Sequence, residues 1–173
     1  MGKARNLQVV NFNQPREVPF ENLSKEARAD LVKKLKDHLF EHSRLDVDTG
    51  CWEPSKSGNG TNLCINNKDN GRVILNFSGF LKNHNIKHEK NSTAVAQAFF
   101  KLLGVEKEKY NASHLCHNPK CMNPQHLVFE DAEYNRSRNY CCGGEGCLHE
   151  PKCLSQGVRF FIIKNAKEHF TVP

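Results

Sequence analysis

The sequence predicts an α+β fold in which bound metal stands in for part of the hydrophobic core. Three observations point there. Two stretches carry helical periodicity, and between them lie short runs of β character joined by an Asn-Gly turn. The third is eight Cys and nine His in a 173-residue chain that is only 38% hydrophobic, with a mean hydropathy of -0.67. A chain of that length suits one ordinary domain, but so lean a composition implies a small core that needs reinforcement.

Eight cysteines can mean four disulfides in a secreted protein or thiolates on metal in a reducing compartment. The start, MGKARNLQVVNFNQ, has no apolar run of signal-peptide length, and no window approaches a membrane span. The expectation is therefore a reduced, intracellular protein, with its six N-x-S/T triplets chance matches in an Asn-rich chain. Its net charge of +6 points mildly toward a polyanionic partner.

Taken in order, residues 1–20 contain Pro15 and Pro19, show no sustained period and read as an extended arm. Residues 24–42 space Ala27, Leu31, Leu35 and Leu39 four apart, an amphipathic helix capped by Ser24. Lys33, Lys34 and Lys36 beside Asp30, Asp37 and Glu41 make a solvated outer face. Between residues 50 and 80, TNLCI and RVILNF flank NNKDNG, whose Asn70-Gly71 signals a hairpin. Val73, Leu75 and Phe77 then share one strand face, leaving Arg72, Ile74, Asn76 and Ser78 on the other, a mixed surface suited to lie on a ligand. A second helix is expected from Ser92 to Leu103, stopped at Gly104.

The densest chemistry lies in SHLCHNPKCMNPQHLVFE, residues 113–130. Cys116, Cys121 and His126 sit on a loop stiffened by Pro119 and Pro124, three soft ligands of the kind tetrahedral zinc takes. Cys51, isolated in TGCWEP, is the best fourth. Cys141, Cys147, His149 and Cys153 form a second set around a glycine-rich turn, with Cys142 able to replace Cys141. Cys64 and Cys142 are left as free thiols. Zinc with four protein ligands is closed to substrate and serves the fold, so His114 and His117 remain for other work.

His114 ends an apparent strand, NASHLC, and after the metal loop HLVFE reads as a returning strand, followed by a helix starting near Asp131. Such a hairpin aims His114 at the helix, where Asn135 lies one turn in and Arg138 one turn further. An imidazole facing an amide oxygen suits single-metal phosphodiester hydrolysis: the base deprotonates water, and a Mg2+ held by the amide stabilises charge on the phosphate.

SHLCHNPKCMNPQHL, Asn135-x-x-x-Asn139 and the C...CxH...C cluster together resemble the His-Cys box homing endonucleases. These are ββα-metal (His-Me finger) nucleases encoded by mobile introns of eukaryotic nuclear ribosomal DNA. The close likeness runs from about residue 111 to residue 154, and upstream it rests on Cys51-Trp52 and a basic strand starting at Arg72. The resemblance implies His114 as general base, Asn135 as the only protein ligand of a catalytic Mg2+, and Arg72 as the cation beside the scissile phosphate. It implies Cys51, Cys116, Cys121 and His126 as one structural zinc site, and Cys141, Cys147, His149 and Cys153 as the other. The tighter Cys141–Cys147 loop and the extra Cys142 depart from the family pattern.

The expected protein is thus a single domain over residues 1–173. Its parts are an arm (1–20), an amphipathic helix (21–44), a DNA-binding sheet (50–80), a His-Cys box (111–154) and a dimerisation tail (157–173). Its expected function is site-specific double-strand cleavage of DNA at a near-palindromic ribosomal site by a homodimer, nuclear or otherwise intracellular and away from membranes. Arg72, Asn76, Ser78 and Arg138 are the expected DNA contacts, and a non-catalytic zinc-stapled DNA-binding protein is the alternative.

Overall fold

A computed structural model describes residues 17–55, 61–68, 71–89, 92–105, 110–141 and 143–154. Most of the expected N-terminal arm, Asn70 of the hairpin turn, Cys142 and the expected dimerisation tail lie outside these residues. Among them no helix is long and apolar enough to cross a membrane.

Strand β1 (Val18–Pro19) leads through a 3-10 turn into helix α1 (Lys25–Glu41). Ser24 caps α1 as expected, its side chain accepting from the Ala27 amide at 3.2 Å. Leu31, Val32, Leu35 and Leu39 are buried, while Lys34 and Asp30 pair on the outer face at 2.7 Å. Strands β2 (Ser43–Leu45) and β3 (Trp52–Pro54) pair antiparallel, delivering Cys51 beside the metal loop.

The expected hairpin forms as β4 (Leu63–Asn66) and β5 (Arg72–Leu75), with Cys64 opposite Ile74 and Asn66 opposite Arg72. Val73 and Leu75 point into the core and Arg72 outward, as the alternation predicts. The strand stops earlier than expected. Residues 77–82 form a helix, α2 (Phe77–Lys82), because Phe77, Phe80 and Leu81 follow the helical period into the core and the Asn76 side chain accepts from the Gly79 amide at 3.0 Å. A β-carbon at Gly79 would lie 2.7 Å from Asn76 Nδ2 and 2.9 Å from Asn62 Oδ1, so any other residue there would have to displace the capping amide. The outer face of the hairpin therefore loses Asn76 and Ser78, and it carries Cys64, Asn66, Arg72 and Ile74 instead.

Strand β6 (Ile86–Lys87) pairs parallel with β1, and β7 (Thr93–Ala94) adds to the free edge of β5. That pairing delays the second helix: α3 runs Val95–Leu103 rather than from residue 92. It ends on Gly104 at φ +70°, the left-handed C-terminal stop expected there. Helices α1, α2 and α3 and strand β5 enclose one core, with Leu35, Phe77, Phe80 and Phe99 at most 2% exposed.

Strands β8 (Asn111–His114) and β9 (Leu127–Glu130) pair antiparallel with His114 opposite Leu127, and helix α4 (Ala132–Arg138) follows directly. Asp131 caps it, accepting from the Tyr134 amide at 2.7 Å. This is the predicted order of strand, metal-type loop, strand and helix. Phe129 of β9 packs against Phe100 of α3, the rings tilted by 50° with centroids 4.0 Å apart, joining this unit to the main core.

Candidate functional site

Four ligand atoms meet where β3 approaches the loop between β8 and β9. Cys51, Cys116, Cys121 and His126 present theirs within 4.8 Å of one another, and all four residues are buried. His126 Nδ1 lies 3.6 Å from Cys51 Sγ and 3.4 Å from Cys121 Sγ. Zinc bonds to sulfur and imidazole nitrogen in a tetrahedron set ligand atoms roughly 3.5–3.8 Å apart, so the donor set fits that ion. The Met122 amide donates to the Trp52 carbonyl at 2.8 Å, and the Asn123 side chain to the Gly50 carbonyl at 2.9 Å, clamping loop and sheet. Cys51 is held well below the ordinary thiol range by hydrogen bonds from Cys116 and Cys121, while those to Cys116 and Cys51 push Cys121 up. Three crowded sulfurs resist carrying three negative charges, a resistance that a bound dication removes.

Cys141, Cys147, His149 and Cys153 form a second tetrad of the same compactness. His149 Nδ1 stands 3.4 Å from Cys147 Sγ and 3.7 Å from Cys153 Sγ. Its other nitrogen, Nε2, lies 2.8 Å from Ser137 Oγ, whose single proton goes to the Tyr134 carbonyl at 2.7 Å. Nε2 must then carry the hydrogen and donate it, leaving the Nδ1 lone pair for a metal. Backbone amides of Gly143 and Cys153 donate to Cys141 Sγ and Cys147 Sγ at 3.4 and 3.2 Å, and against the opposing effect of burial the second bond helps hold the Cys147 thiol below its ordinary range.

Between the hairpin, the first metal loop and α4 lies a cleft of about 370 Å³ whose polar lining is Arg72, His114, His117, Asn135, Arg138 and Asn139. The three residues to which chemistry was ascribed, Arg72, His114 and Asn135, are thus brought together from β5, β8 and α4. His114 Nε2 lies 3.2 Å from the Cys121 carbonyl. A carbonyl only accepts, so Nε2 carries the hydrogen and Nδ1 the lone pair. Burial lowers the His114 pKa to about 4, with the Cys121 bond opposing and the charge of Arg72 reinforcing the shift, so the imidazole is neutral at pH 7. Among the described residues no carboxylate lines the cleft. An amide oxygen with room around it fits Mg2+, which keeps several waters and takes its remaining ligands from substrate phosphates.

Arg138, expected among the DNA contacts, borders this cleft but is held by the protein. It is 2% exposed, and its guanidinium is bonded to Glu130, the Pro151 carbonyl and Cys153 Sγ. Pairing with the acidic end of β9 drew it inward, a pull invisible without the β9–α4 corner. Asn76 and Ser78 lie at the start of α2 rather than on a strand: Asn76 caps the helix, and the Ser78 hydroxyl donates to Asn76 Oδ1 at 3.3 Å. Cys64 and Asn66 share the outer hairpin face with Arg72, a placement that follows from the register of the two strands.

Two Cys/His tetrads able to hold zinc, stapling small antiparallel sheets and short helices, define a zinc-stapled α+β domain of the His-Me type. Residues 50–161 match the model of a family described as the zinc-binding loop region of homing endonuclease. The chain belongs to that family, and membership supports a nuclease-type or DNA-binding role.

Proposed function

We propose that this protein is a site-specific endonuclease that hydrolyses phosphodiester bonds of duplex DNA. The observation that carries the reading is the convergence of Arg72, His114 and Asn135 on one cleft, with His114 oriented by the Cys121 carbonyl. His114 Nδ1 takes a proton from a water as that water's oxygen attacks phosphorus, and the bond to the leaving ester oxygen breaks. Arg72 offers a fixed cation to the phosphate oxygens as their charge grows. Asn135 would hold the Mg2+, which when bound stabilises charge on the phosphate and the leaving oxygen.

The two tetrads act as structural zinc sites in this reading. The outer face of β4 and β5, with Arg72 and Asn66, lies along the major groove, where a two-stranded ribbon fits. One such hairpin spans a few base pairs and one cleft cuts one strand, so a double-strand break calls for a two-fold dimer on a near-palindromic site, a ribosomal DNA sequence by family resemblance. The apolar stretch at Phe160, Phe161, Ile162 and Ile163 is the proposed fastener between subunits.

The test is incubation of the purified protein with ribosomal DNA, with Mg2+ or with no added divalent ion, followed by mapping of ends. A discrete double-strand cut only with Mg2+ supports the proposal. Tight, specific binding with no cut under any condition would leave the alternative, a zinc-stapled DNA-binding protein.

A further inference from the structure

Arg138 carries the inference. It follows Asn135 by three residues on α4 and borders the same cleft, yet it is only 2% exposed and spends every nitrogen on the protein. Nε donates to Glu130 Oε1 at 2.7 Å and Nη2 to Glu130 Oε2 at 2.8 Å. Nη1 donates to the Pro151 carbonyl at 2.8 Å and to Cys153 Sγ at 3.3 Å. Glu130 ends β9 and Arg138 ends α4, while Cys153 is a member of the second tetrad and Pro151 lies in the loop between two of its members, His149 and Cys153. One side chain thus touches all three.

Two weaker ties run parallel to it. His149 Nε2 donates to Ser137 Oγ at 2.8 Å, and the Glu150 amide donates to the Tyr134 hydroxyl at 2.8 Å. Both join α4 to the tetrad, but neither reaches β9. A seven-residue helix cannot hold itself in place in water. It needs this anchorage.

Charge explains why an arginine occupies the junction. Three thiolates and an imidazole on a dication leave one net negative charge, and a bonded guanidinium offsets it at Cys153. Lysine carries the same charge as a single point and cannot hold a carboxylate in two places while also reaching a carbonyl and a sulfur.

We propose that Arg138 is a positioning residue that makes the second metal site, the end of β9 and helix α4 one cooperative unit. Loss of the metal loosens α4, and loosening α4 releases the metal. The consequence for catalysis rests on the proposed role of Asn135, which rides on α4; the coupling itself does not.

The experiment uses the full zinc-loaded chain and two readouts, release of zinc to a chromogenic chelator and amide exchange over residues 132–139. For Arg138→Lys, one of the two zincs should leave about tenfold faster or more, the scale for losing a side chain bonded to a metal ligand. The other should leave at the wild-type rate, and the 132–139 amides should exchange faster while both zincs are still bound. Glu130→Gln, which keeps Arg138 but weakens its anchor, should move both readouts in the same direction by less, and it decides the matter if Arg138→Lys does not fold. Wild-type release from both variants would overturn the proposal, as would equal acceleration of both zincs, which marks general destabilisation. A wild-type protein that binds two zincs but never cuts DNA would sink the nuclease reading and leave the coupling standing.

Discussion

His114 Nε2 lies 3.2 Å from the carbonyl oxygen of Cys121, so a backbone atom of a zinc-type ligand orients the imidazole that lines the cleft. Metal loop and imidazole are therefore not separate modules. If His114 is the base, its tautomer depends on a loop held in shape by four ligand residues that bracket it in sequence and space.

His114→Ala should slow cleavage at least about a hundredfold, the usual scale for removing a general base, while leaving DNA affinity nearly intact. Single-turnover cleavage beside equilibrium binding measures both. An unchanged rate would shift the role to His117, which lines the same cleft.

Arg72→Lys should slow cutting more than it weakens binding, because a planar fork can hold two phosphate oxygens and an ammonium only partly imitates it. If rate and affinity fall together and the salt dependence of binding drops by about one charge, Arg72 is a backbone contact only.

Elemental analysis should find two zincs per chain, one for each tetrad. Removing them should unfold the protein, since the ions replace core that the composition lacks. With zinc bound, Cys64 should react fastest with thiol reagents among the described cysteines, because it is exposed and lies outside both tetrads. Zero or one zinc would contradict this.

Asn76→Ala separates a cap from a DNA contact. Loss of the bond to the Gly79 amide should cost about 1 kcal/mol of stability and leave cleavage at a saturating DNA concentration unchanged. Denaturant melts and cleavage rates on the same preparation decide. An unaltered midpoint with weakened DNA binding would restore the contact role.

Sedimentation should show a dimer for the full chain and a monomer for a version ending at Gln156. A full-length protein that stays monomeric even on DNA would remove the dimer from the proposal. An undiminished dimer after truncation would locate the interface elsewhere.

Local patterns determined much of this protein. Helix α1 and its Ser24 cap, the alternation of Val73 and Leu75, the Gly104 stop and the order of strand, loop, strand and helix around His114 are written in nearest-neighbour periodicity and capping chemistry. Both tetrads were legible too, because zinc draws on few residue types and most of its ligands stand close together in the chain. Only the tertiary structure decided the fates of Asn76 and Arg138. Asn76 stands where strand and helix patterns overlap, and a cap 3.0 Å from the Gly79 amide together with burial of Phe77, Phe80 and Leu81 resolved it toward a helix. Arg138 reads as surface charge until Glu130, eight residues earlier, and Cys153, fifteen later, are folded onto it. A buried ion pair is stable only when all its partners arrive together, so no single stretch of sequence records it.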